Sequence, residues 1–153
     1  EIRTDFCGMC HPGADSAEEA KTIRSPIQTQ DYDGDGNVEE GIGEEIEALH
    51  KALWEAIKAY AIETEGVNAI LYDGHTYPYF FIDTDEDGRI DAEETTYANR
   101  FVTWTPRLLG AAYNYTWVSK DPGSYAHNGT YMIQVLYDSL QDLGADVGNL
   151  IRP

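Results

Sequence analysis

Apolar residues recur at helical spacing in three stretches of this chain. Ile46, Leu49, Leu53, Trp54, Ile57 and Tyr60 fall on one stripe, which predicts a helix from Gly43 to Glu63, ended by Gly66. Thr105-Pro106 reads as a helix start, with Thr as N-cap and Pro at the first helical position. That helix should turn Leu108, Leu109, Ala112, Tyr113 and Trp117 inward, until Lys120-Asp121-Pro122-Gly123 breaks it. A last helix is expected from about Thr130 to Leu143, with Val135, Leu136, Leu140 and Leu143 inward and a stop at Gly144. Between the first two, residues 69–82 are aromatic and β-branched but interrupted by Gly74 and Pro78. They read as a loop with short extended pieces. The pattern predicts a mainly α fold, small and irregular, with little or no sheet.

With 153 residues and 42% hydrophobic content, the chain is expected to form one domain over 1–153 with a packed core. Its charge is −18, from 28 acidic and 10 basic residues. That excludes nucleic acid and anionic membrane surfaces as natural partners, because both require a basic footprint. No apolar run approaches a membrane span. The first residues, Glu1-Ile2-Arg3, lack an initiator Met, as expected of a chain whose secretory leader has been removed. Asn114-Tyr115-Thr116 and Asn128-Gly129-Thr130 match the glycosylation sequon, a triplet that also arises by chance.

The acid is concentrated. Windows 31–42 and 83–94 hold five and seven acidic residues. The second window fits the twelve-residue EF-hand loop at each diagnostic position. Asp83, Asp85 and Asp87 offer carboxylates, Gly88 the sharp turn and Arg89 its carbonyl; Asp91 acts directly or through water, and Glu94 closes the site. Many oxygen ligands favour calcium over magnesium. The first window begins the same way, with Asp31, Asp33, Asp35 and Asn37, but position twelve is Ile42, which cannot ligate. A closing carboxylate must then come from Glu39, Glu40, Glu44 or Glu45. Calcium is expected in both loops, in a structural role, neutralising carboxylates that otherwise repel.

The chain's two cysteines lie in Cys7-Gly8-Met9-Cys10-His11. C-x-x-C-H is the attachment signature of c-type haem: both thiols add across vinyl groups, and the histidine is then placed to ligate the iron. No second Cys pair exists to complete a zinc site. Haem c attachment is normally extracytoplasmic, in agreement with the missing Met. For the other face of the iron, His50, His75, His127 and Met132 are candidates. His50 lies on the apolar stripe and reads more readily as a hydrogen-bonded core histidine; Met132, at helical spacing, reads as core.

Three segments carry a resemblance: His75-Thr76-Tyr77-Pro78-Tyr79-Phe80-Phe81, Trp104-Thr105-Pro106-Arg107-Leu108-Leu109, and Asp121-Pro122-Gly123-Ser124-Tyr125-Ala126-His127-Asn128 with its continuation from Tyr131 to Leu140. They resemble parts of large secreted cytochromes c of metal-reducing bacteria. In such multihaem proteins a His-Asn pair opening a helix often supplies the distal histidine. The resemblance therefore implies His127, with His75 second, as cofactor-binding partners to Cys7, Cys10 and His11. One departure stands out: the relatives carry several C-x-x-C-H motifs and this chain has one. A distal ligand from a neighbouring subunit is the other arrangement this allows.

The expected function is extracytoplasmic electron transfer by one haem c in a calcium-stabilised scaffold. Expected partners are other redox proteins or extracellular electron acceptors, and a homo-polymer in which haems line up. The alternative is a five-coordinate haem acting on peroxide or sensing a small gas.

Overall fold

The computed structural model describes residues 3–64 and 66–153. Glu1 and Ile2, on which the reading of a removed leader partly rests, lie outside the described residues. The elements are α1 (Ala17–Lys21), α2 (Ile42–Glu63), β1 (Ile70–Tyr72), β2 (Phe80–Ile82), a 3-10 turn (Tyr97–Asn99), α3 (Pro106–Lys120), α4 (Ser124–His127) and α5 (Gly129–Leu143). The fold is mainly α, as the sequence pattern predicts.

Helices α2, α3 and α5 pack against one another and hold the core. Leu49, Leu53 and Ile57 of α2, Leu108 of α3, and Ile133 and Leu136 of α5 are at most 1% exposed. Full burial of each such side chain contributes roughly 1.5–3 kcal/mol. The predicted boundaries hold to within a residue or so. Thr105 caps α3, its hydroxyl accepting from the Leu108 amide at 3.2 Å, with Pro106 just inside. At the start of α2 the Glu44 carboxylate accepts from the Gly41 amide at 2.8 Å. Gly144 ends α5 in the left-handed region, at φ 84°.

Two expectations need correction. Leu109 and Tyr113 point outward, 52% and 70% exposed. The buried row of α3 runs through Leu108, Ala111, Ala112 and Val118, and the next row along the cylinder faces away from α2 and α5. The extended pieces in 69–82 are also more ordered than a loop. They pair as an antiparallel hairpin, with Ile70 opposite Ile82 and Tyr72 opposite Phe80. The Asp73 amide donates to the Tyr79 carbonyl at 2.8 Å across its mouth, so Gly74 and Pro78 sit within the connection between the strands.

Candidate haem and cation sites

The segment Cys7–His11 forms a tight helical turn. The amides of Cys10 and His11 both donate to the Cys7 carbonyl, at 3.1 and 2.8 Å. Neither cysteine is in a disulfide; Cys7 is half-buried and Cys10 exposed. Cys7 and His11 open onto a cavity of about 620 Å³, whose other walls include Ile23, Arg24, Ile42 and Tyr125. The wall is mostly apolar, with one guanidinium. A free thiol, Cys7, and an imidazole at the edge of such a cavity, with the second free thiol of Cys10 three residues along the same turn, fit a covalently tethered porphyrin. α2 supplies Ile42 and α4 supplies Tyr125 and Ala126, so the turn faces the first residue of α2 and the short α4.

The distal candidates are spread out. His50 Nε2 lies 2.9 Å from the Tyr115 carbonyl oxygen and 3.2 Å from Ser119 Oγ, and the ring stacks on Tyr115 at 4.0 Å. Burial holds its pKa below the ordinary value, partly offset by the bond to Tyr115. Met132 is fully buried in the core. His75 is exposed in the hairpin connection, where its amide donates to Asp73 Oδ1 at 2.9 Å. His127 ends α4, one residue beyond the cavity wall at Ala126. Its side chain is 57% exposed, with Nε2 3.3 Å from Asp121 Oδ1.

In the second acidic loop, Asp83, Asp85 and Glu94 each bring an oxygen within 4.8 Å of the others. Gly88 takes φ +73°, the left-handed turn required at that position. Its amide donates to Asp83 Oδ2 at 3.0 Å, and the Thr84 amide donates to Glu94 Oε1 at 2.6 Å. The other oxygens, Asp83 Oδ1 and Glu94 Oε2, are buried without a partner. Asp83 and Glu94 are only 7% and 4% exposed. Buried carboxylate oxygens lacking any donor fit a hard cation. Asp87 and Asp91 are occupied with the amides of Arg89 (2.8 Å) and Glu94 (3.3 Å). Of the expected carboxylate ligands, Asp87 and Asp91 stand outside the three-carboxylate group.

The first acidic loop closes differently. Two overlapping groups form: Asp31, Asp33 and Glu45, and Asp33, Asp35 and Glu40. Glu45 comes from the first turn of α2, fully buried, with Oε2 accepting from the amides of Tyr32 (2.8 Å) and Asp33 (2.9 Å). Ile42 is 5% exposed and belongs to the core, the physical reason that position twelve carries no ligand. The Asn37 Oδ1 accepts from the Glu39 amide at 3.1 Å. Burial, reinforced by the neighbouring carboxylates, pushes Asp33 up to about 6 and Glu40 up to about 7. Asp31 goes the other way: burial alone would raise it, but the amides of Gly36 and Gly34 hold it below its ordinary value. Sequence reasoning offered four closing carboxylates; Glu40 and Glu45 are the two that converge.

Comparison with known proteins bears on the first of these sites. Over 109 residues, 66% of this chain, the sequence is 35% identical to the C-type polyheme cytochrome OmcC of Geobacter sulfurreducens. Over 148 residues, 91% of the chain, it is 29% identical to the C-type polyheme cytochrome OmcB of the same species. The chain resembles the c-type polyheme cytochromes. It spans 13% and 16% of the length of these relatives. No protein-family model matches the sequence, and no solved structure matches it. None of the described helices is long and apolar enough to cross a membrane.

Proposed function

We propose that this chain is an electron-transfer module of the c-type cytochrome kind, one domain over 1–153, and not an enzyme. Haem c is tethered through Cys7 and Cys10, with His11 as proximal ligand. The observation that carries this is the shared cavity: the thiol of the first cysteine and the adjoining imidazole face one largely apolar space. With two protein ligands on the iron, electrons enter and leave with little rearrangement. His127 is the preferred distal ligand, because α4 already contributes Tyr125 and Ala126 to the cavity wall. To serve, it must exchange Asp121 for the iron. His75 is second.

The two acidic loops hold calcium as structural ions: Asp83, Asp85 and Glu94 in one, Asp31, Asp33, Asp35, Glu40 and Glu45 in the other. The setting is extracytoplasmic, where calcium is plentiful and haem c is attached. Partners are other redox proteins, extracellular electron acceptors, or further copies of the chain in a homo-polymer. Light scattering in calcium and in chelator tests the polymer, which small monomers in calcium would rule out.

A second reading has its own support. His11 is the histidine among the cavity-lining residues, and His50, His75 and His127 have partners or solvent elsewhere. A five-coordinate haem acting on peroxide or binding a small gas follows if none of them moves. Electron paramagnetic resonance of the oxidised protein separates the two. The electron carrier gives a low-spin signal that His127→Ala converts to high-spin. If His75→Ala converts it and His127→Ala does not, His75 is the ligand. A high-spin signal in the unaltered protein rejects the electron-carrier reading in favour of the open site.

A further inference from the structure

Among the described residues, Arg24 is the one Lys or Arg on the wall of the cavity beside Cys7 and His11. Its side chain is only 8% exposed, and its guanidinium is almost fully used. Nε donates to the Gln28 carbonyl at 2.8 Å, and Nη1 to the Glu40 carbonyl at 2.8 Å and to Glu45 Oε1 at 2.6 Å. Nη2 donates to the Gln30 carbonyl. Glu45 is completely buried and is not among the residues lining the cavity. The positive member of the pair thus belongs to a residue of the cavity wall and the negative member does not. Breaking one member of a buried pair leaves the other charge uncompensated. Close to a redox centre, such a charge shifts the balance between oxidation states, because water does not screen it well.

We propose that Arg24 is a positioning residue whose guanidinium, fixed by Glu45, sets the reduction potential of the haem tethered at Cys7 and Cys10. This rests on the haem reading above. Oxidised haem carries one more positive charge than reduced haem, so a cation on the cavity wall favours the reduced form. Losing it favours the oxidised form.

The test is spectroelectrochemistry of the holoprotein at saturating calcium, with covalent haem confirmed by intact mass for each variant. Arg24→Gln should lower the potential by about tenfold or more in the oxidised/reduced ratio, ~59 mV for one electron. Arg24→Lys keeps the charge and should stay near the parent value, even though it loses stability with the hydrogen bonds to Gln28, Gln30 and Glu40. Glu45→Gln, which keeps the shape of the anchor, should raise the potential and is the deciding variant if Arg24→Gln does not fold. Opposite shifts in potential alongside losses of stability in all three variants support the proposal. A purely structural role predicts no such sign change. An unmoved potential in Arg24→Gln, or in Glu45→Gln where the former does not fold, overturns it. So does a shift of the same sign in both. Absence of covalent haem from the unaltered protein would instead remove the reading on which the proposal rests.

Discussion

The two acidic loops begin with the same Asp-x-Asp-x-Asp spacing and end in different ways. Loop 83–94 is self-contained: its closing residue, Glu94, is held by Thr84 within the same twelve residues. Its inner oxygens on Asp83 and Glu94 are left without donors. Loop 31–42 gives its twelfth position to the core and borrows Glu45 from α2 instead. That carboxylate already has three donors, the Tyr32 and Asp33 amides and Arg24. Loop 83–94 therefore leaves two buried carboxylate oxygens without a donor, and loop 31–42 leaves one, Glu40 Oε1. In loop 31–42 Glu45 is satisfied by protein, and its geometry is tied through Arg24 to the wall of the cavity beside Cys7 and His11. Similar local sequences thus close in different ways, because their closing carboxylates come from different levels of structure.

Removing the closing carboxylates separates the two most strongly. Glu45→Ala leaves Arg24 buried and unpaired and takes the acceptor from two loop amides, so it should cost about 3–5 kcal/mol even without calcium. Chemical denaturation in chelator measures this, and a loss below 1 kcal/mol would mean that the pair is not integral to the fold. Glu94→Gln should act through the metal. Calcium affinity at that loop falls on the order of 100-fold, since ligand charge sets affinity in such sites, while stability in chelator changes little. Calorimetric titration and melting in chelator check both halves; an equal loss with and without calcium would make the two loops alike.

The smallest expected effect is protonic. Asp33 and Glu40 have folded pKa values raised to about 6 and about 7. Raised carboxyl groups favour the folded state when protonated, so their contribution is present below pH 4. It is lost as pH rises through 6 to 7 in the metal-free protein. Calcium entering loop 31–42 near pH 6 must displace these protons. Titrations in buffers of different ionisation enthalpy should show on the order of one proton released there. At loop 83–94 Asp83 is raised by burial while Thr84 holds Glu94 low, so release near neutrality should be smaller.

How far the sequence could be read follows the same division between local and distant contacts. The convergence of carboxylates in loop 83–94 is legible because Asp83, Asp85 and Glu94 lie within twelve residues of one another. The tight turn of Cys7–His11 lies in five adjacent residues. Helix starts and stops at Thr105-Pro106 and Gly144 are local backbone signals and appear where expected. Glu45 could be named only as one of four, since its choice depends on which face α2 turns to the loop. Leu109 and Tyr113 misled for a related reason: on α3 apolar residues occupy two adjacent rows, and only packing against α2 and α5 selects one. Arg24 carried no sequence signal at all, because its importance arises from Glu45, twenty-one residues away.

Intact-mass spectrometry under denaturing conditions, on protein produced with a cytochrome c maturation system, tests the central claim most directly. The account predicts the chain mass plus one haem, reverting to the bare chain when Cys7 and Cys10 are both replaced by Ala. A bare mass with two reactive thiols in the unaltered protein would contradict it.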